Sequence, residues 1–472
     1  MRNLSLAILS LLSLSLTVSA SGLKLSKPIL YLENNTAYTV LNISWDHAWK
    51  NGKNHDGVWL FFKSLPKTGG YHHIRVEKEG HAVISVFSQK DVDLDFQIPD
   101  DQTGLFIAPA NTFRGDIEVS VRIMLQYSSF ENINVRKAAF NAYGIEMVHV
   151  TGGSFKVGGT DEQSLNYGSF YKPDKRGKAS GWVEIASEDQ ELEVSQTGDL
   201  FYRANEGYEG DQTGTIPSTF PKGFAPFYIM KYEPTEGQYT DFLNSLTAAQ
   251  ASDRIIFNEK NYYESGGTIA EKDGRYVSHL PDKPCAFMSW DDAMAYADWA
   301  GLRPMTEFEY TKACRGPSAP VSGEYPWGTV SKDKIQRLPN ADGQLVMING
   351  WDESKLTDEN KKYFGASWYW VMDLSGSMWE RLVTVGHPNG RNFDGTHGDG
   401  AISPEGYANT QNWPVGQEDS GGIGYRGGGF YGYDREYHEF NPFSPVAYRP
   451  YGGWHGSGRT VSYGTRFVRS GN

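Results

Sequence analysis

From Lys24 to Tyr127, apolar and polar residues alternate in short runs, among them TVLNISWDHAW, GVWLFFKSL, HAVISVFSQ and DIEVSVRIML. Gly, Pro, Asn and Asp separate the runs. A period of two places every second side chain on one face of a strand, so the pattern predicts several short strands. Strands at this spacing predict an antiparallel β-sandwich over residues 22–130. Trp45, Trp49 and Trp59 are expected in its core or packed along its edge, since Trp59 lies inside the apolar run VWLFF. Residues 131–143 read as a linker with a short helical turn, and a second unit, 144–472, follows.

In the second unit the apolar period lengthens to that of a helix in three places. EGQYTDFLN has Thr235 as N-cap and Tyr239, Phe242 and Leu243 on one face. DDAMAYADWAG is capped by Ser289 and turns Ala293, Tyr296, Ala297 and Ala300 inward. In TEFEYTKACRG, Thr306 and Glu309 have capping-box spacing, so Glu309 reads as a structural acid, with Arg303 available to pair with a nearby carboxylate. The polar stretch 160–221 reads as an insertion. The fold class is α+β.

Composition refines this picture. With 53 Gly, 13 Trp and 28 Tyr in 472 residues, the second unit is built from loops and aromatics more than from helices. A net charge of −13 without any basic run excludes nucleic acid as a partner class. Residues 1–20 combine Arg2, an apolar run from Leu4 to Val18, and small residues at Val18 and Ala20, the pattern of a secretory signal peptide. That run is shorter than the roughly 18 residues a span needs, and no later segment reads as a membrane span. A secreted, periplasmic or cell-surface location is therefore expected. The two cysteines, Cys285 and Cys314, allow either one disulfide or two buried thiols. His47, His55, His72 and His73 lack metal-ligand spacing and read as surface or capping residues.

A series of motifs in the second unit carries a resemblance. In order, these are MVHVTGGSFKVGG (147–159), FYIMKYEPTEGQYTDFLN (227–244), GLRPMTEFEYTKACRG (301–316), Tyr325-Pro326-Trp327-Gly328, Asn340-Ala341 and WYWVMDLSGSMWER (368–381). The last two are Arg426-Gly427-Gly428-Gly429-Phe430 and Gly464-Thr465-Arg466-Phe467-Val468-Arg469. Together they resemble the formylglycine-generating enzyme, or sulfatase-modifying-factor, family over residues 144–469. The resemblance implies a C-type-lectin-like domain with two main helices, small antiparallel sheets and long loops. It also implies a catalytic cysteine pair just after the Arg-Gly-Gly motif, binding copper in aerobic members. In this chain Gly429 replaces the family's Ser, and the two cysteine positions hold Gly432 and Tyr437, neither of which can serve as a thiolate ligand for Cu(I). No catalytic residue is assigned, and copper is not expected. Calcium is the metal the resemblance leaves open, with Asn340, Ser377 and Glu380 as its candidate ligands. In NGRNFDGTHGDG (389–400), Asp394 and Asp399 read as turn residues.

The expected function is non-catalytic. The loop from Gly429 to Gly458 presents Tyr431, Tyr433, Tyr437, Tyr448, Tyr451 and Trp454, residue types that make adaptable contacts at low entropic cost. Its partner would be a protein or glycan ligand at the cell surface, or a component of a surface assembly. The rival expectation is a copper- or oxygen-dependent oxidase of the formylglycine-generating type, acting on sulfatases or another protein.

Overall fold

The computed structural model describes residues 22–67, 70–204, 210–254, 256–257, 266–333, 335–340, 344–415, 421–429, 445–454, 456 and 458–471. The expected leader at 1–20 lies outside these residues. No helix among the described residues is long and apolar enough to cross a membrane.

An eight-stranded antiparallel sheet organises the molecule. The strands Asp56–Pro66, His72–Ile74, Leu94–Gln97 and Leu105–Pro109 come from the first unit. Ala138–Val150, Phe227–Met230, Arg303–Pro304 and Phe467–Ser470 complete the sheet. Side chains alternate across it. Val58, Leu60 and Phe62 point to one face, and there they meet a second sheet built mainly from Thr36–Lys50, Phe113–Leu125 and Ala82–Val86. Trp59 and Phe61 point to the other face and enter a core shared with the helices Glu236–Leu243 and Trp290–Trp299. A strand buried on both faces needs an unbroken apolar run. VWLFF supplies one, so Trp59 packs under the helices and donates from its indole N–H to Ala300 O at 2.8 Å.

The sandwich is therefore real, but it does not stop at residue 130. Residues 131–137 make the connection, after a 3-10 turn at Tyr127–Phe130. From Ala138 onward, the expected linker is strand. Residues 138–148 pair with 56–66, and 147–150 with 227–230. The sequence NAYGIEMVHV buries Tyr143, Ile145 and Met147 on the helix side, and that burial extends the strand through the expected boundary.

A bulge also separates the tryptophans. The pairing of 36–50 with 113–125 slips between Trp45 and Ala48, where His47 takes a left-handed φ of 60° and its N–H donates to Asp116 Oδ1 at 2.8 Å. An inserted residue reverses the facing of everything after it. Trp45 accordingly packs in the sandwich, while Trp49 packs in the core around the helix Glu307–Arg315. Two of the four histidines depart from the surface reading. His55 is buried and bonds Tyr228 Oη at 3.0 Å, and His73 is held between Lys63 and Thr103.

Candidate functional site

The C-terminal motifs converge on a three-stranded sheet in which Trp379–Val383 pairs antiparallel with Ile423–Arg426 and parallel with Tyr463–Thr465. Directly after it, Gly427 and Gly428 take φ of +85° and +69°, values a side chain would strain, and a Cβ on Gly429 would come within 3.2 Å of Ser377 O. Gly427 and Gly428 therefore stand where the backbone favours glycine, whereas Gly429 meets only a tight approach.

The arginines of the motifs serve as internal counter-ions. Glu307, fully buried at the start of its helix, accepts Arg449 Nε at 2.9 Å and Nη2 at 3.1 Å. It also takes Thr384 Oγ1 and the Val385 N–H, both at 2.9 Å, and lies 3.4 Å from Arg426 Nη1. Arg449 is stacked against Phe170 and Tyr202, with its guanidinium 4.1 and 4.3 Å from their ring centres. Arg303 grips Glu309 with two nitrogens, at 2.9 and 2.6 Å, while Thr306 and Glu309 form the capping box. Arg469 ties the last strand to Asp101 of the first unit and lies over the Trp59 ring at 4.5 Å. Removing one partner of such a buried pair costs more than the pair itself contributes, so these residues help to fix the fold.

Each expected calcium ligand has a partner inside the protein. Glu380 is fully buried and holds Arg466 through Nε at 3.0 Å and Nη2 at 2.8 Å, so a guanidinium already supplies its positive partner. Ser377 donates its hydroxyl to Glu233, whose other oxygen accepts the Met378 N–H at 3.1 Å. Asn340 closes a turn, its Oδ1 accepting the Gln344 N–H at 3.0 Å. Among the described residues, no group of three or more His, Cys, Asp or Glu side chains converges as a metal site. Hard cations need several oxygens free to face them, and one oxygen of Glu380 is buried without a hydrogen-bond partner. Glu233 was not singled out from the sequence. Burial, followed by the charge on Glu380, pushes its carboxyl up to about 8 against the pull of Arg466. The only sequence signal for it was its place in Lys231-Tyr232-Glu233, where charges follow directly on an apolar strand.

Cys285 and Cys314 are both free and buried, in different cores. Of the two alternatives left open, the structure holds two separate thiols. Burial pushes the Cys285 thiol well up, aided by Glu236 and Asp292, and pushes Cys314 up to about 12. Neither is a thiolate near neutrality, and a soft metal needs thiolates together at one place.

Of the expected surface aromatics, Tyr431, Tyr433 and Tyr437 lie outside the described residues, as does Gly432. Tyr448 is buried and stacks on Tyr167 with ring centres 4.6 Å apart. Tyr451 and Trp454 are half-buried and join Trp379, Tyr425 and Tyr463 in one aromatic cluster, with Tyr451 5.2 Å from Trp379 and Trp454 5.4 Å from Tyr425. The cluster takes Tyr425 from before, and Tyr451 and Trp454 from after, the stretch of sequence in which the family's cysteines would stand.

Comparison with known proteins agrees with this geometry. The family described as sulfatase-modifying factor enzyme 1-like domain matches residues 134–469. A formylglycine-generating enzyme from Bos taurus is 27% identical over 179 residues, which cover 33% of this chain and 47% of that protein. The enzyme of the same name from Mus musculus is 30% identical over 179 residues, covering 33% and 48%. A hercynine oxygenase from Mycobacterium tuberculosis is 28% identical over 160 residues, covering 31% and 37%. The chain spans less than half the length of each of these curated relatives.

Proposed function

Because the chain belongs to the family of sulfatase-modifying factor enzyme 1-like domains, we propose that it uses that scaffold for binding, at a cell surface or within a surface assembly, and not for oxidation. The observation that carries the reading is the fate of the sulfur ligands. By the motif resemblance, the family's cysteine pair falls at Gly432 and Tyr437. The chain's two thiols are buried in separate cores, both with raised pKa. Oxidation of a substrate cysteine through Cu(I) needs paired thiolates, and these residues do not provide them. Three pairs that include motif residues, Glu307 with Arg449, Glu309 with Arg303 and Glu380 with Arg466, are joined inside the protein. A secretory leader at residues 1–20 would deliver such a protein to the surface.

The rival reading is favoured by the relatives, whose names are those of enzymes. One experiment separates the two. The mature protein is titrated with Cu(I) under anaerobic conditions, then incubated aerobically with a peptide carrying a sulfatase-type cysteine and assayed for aldehyde. The expected result is no stoichiometric copper and no aldehyde. Stoichiometric copper that is lost in Cys285→Ser or Cys314→Ser, or any enzymatic aldehyde formation, would overturn the proposal.

A further inference from the structure

A polar recess lies where the two halves of the chain meet. It has a volume of about 410 Å³, within the range of small-ligand sites. One wall comes from the first unit, through the strand at 72–74 with the residues before it and the turn at 127–130 with the residues after it. The other comes from the second unit, through the short helix Ala248–Ser252 and the loop 401–404. Its contacts are made chiefly by Tyr71, His72, Ser128, Asn132, Thr247 and Ser403, with Ile133 and Ile402 adding apolar surface.

The character of the lining is informative. In a chain with 21% charged residues, no Asp, Glu, Lys or Arg is among the described residues that line this recess. A phosphate or carboxylate ligand would find no cation there, and a metal or amine would find no anion. What the recess offers is hydroxyls and an amide. The side chains of His72, Ser128 and Asn132 are exposed and form no hydrogen bond within the protein among the described residues. Thr247 and Ser403 each accept a backbone N–H, from Gln250 at 3.2 Å and Tyr407 at 3.3 Å, which leaves each hydroxyl proton to donate.

The floor is rigid. Beneath it Lys63, buried on its strand, donates to His73 Nδ1 at 2.9 Å, Trp299 O at 2.6 Å and Gly400 O, and its ammonium lies 4.5 Å from the centre of the Tyr71 ring. With its Nδ1 accepting from Lys63, His73 donates through Nε2–H to Thr103 O at 2.8 Å. The first-unit wall therefore carries a ring held in place from below beside the side chains of His72, Ser128 and Asn132, and the opposite wall carries the hydroxyls of Thr247 and Ser403. That is the complement of a pyranose, which has an apolar C–H face and a rim of hydroxyls.

We propose that this recess binds an uncharged sugar, a mono- or disaccharide unit of a glycan. The site is separate from the C-terminal loop and does not rest on that loop being non-catalytic. Aldehyde formation would overturn the earlier reading and leave this one standing. The test is a titration of the full mature chain, followed by ligand-observed NMR and calorimetry, with glucose, galactose, mannose, N-acetylglucosamine and their common disaccharides. Glucose 6-phosphate and sialic acid serve as charged controls. The expected result is saturable binding of at least one neutral sugar, weakened at least tenfold in the double variant Ser128→Ala, Asn132→Ala. Both residues are exposed, and the melting temperature of the variant should match the parent. The single variant Thr247→Val, which removes one hydroxyl at the opposite wall, gives an independent reading should the double variant be unstable. No saturable binding of any neutral sugar, binding unchanged in both variants, or tighter binding of the charged controls would each overturn the proposal.

Discussion

Glu146→Gln should flatten the pH dependence of stability. In the wild type, Lys231 is buried with its ammonium 3.1 Å from Glu146, 3.5 Å from Asp56 and 3.6 Å from Glu353. One cation is thus shared among three carboxylates. Burial pushes Glu146 up to about 8, and the charges of Asp56 and Glu353 add to this, outweighing the pull of Lys231. Burial also pushes Asp56 up to about 6, whereas Lys231 and Arg337 hold Glu353 below its usual value despite burial. At neutral pH, Glu146 is the acid of the cluster that keeps its proton. Its folded pKa lies above its unfolded one, so its contribution is fully present in acid and is lost as pH rises toward 8. Each pH unit in that window costs about 1.4 kcal/mol, which amounts to about 4 kcal/mol between pH 5 and pH 8. Glutamine keeps the shape and the neutrality but has no proton to lose. Urea unfolding of the wild type and Glu146→Gln at each pH from 5 to 8 measures this directly. The variant should gain on the wild type by about 4 kcal/mol across that range, while Glu233, also pushed up to about 8, leaves both proteins with a residual slope. Parallel profiles would refute the reasoning, because they would mean that Glu146 is ionised against Lys231 throughout.

Glu307→Ala leaves Arg449 and Arg426 buried without their shared carboxylate, and chemical denaturation should show a loss of about 3–5 kcal/mol, with Glu307→Gln losing less. A chain beginning at residue 134 loses the strand Asp56–Pro66, which is buried on both faces between the sandwich and the helices, so it should fail to give a cooperative thermal transition. A soluble fragment melting within a few degrees of the full chain would show that the two units are independent after all.

Local rules were legible in the sequence and long-range ones were not. The N-caps Thr235, Ser289 and Thr306 could be read directly, because a cap and its partner lie three residues apart, and all three form capping boxes. The strands of the first unit were legible because one face of a sheet repeats every two residues. The boundary at 131–143 was misplaced for a related reason. A strand covered on both faces loses that alternation, and nothing within NAYGIEMVHV announces that its neighbours are 56–66 on one edge and 227–230 on the other. Glu380 shows the same limit. Glu380 looked like a free carboxylate in SGSMWER, yet its partner Arg466 stands 86 residues away in GTRF, another motif of the same resemblance. The two motifs are thus the two halves of one buried ion pair, and in this chain they meet the need to neutralise a charge inside the fold.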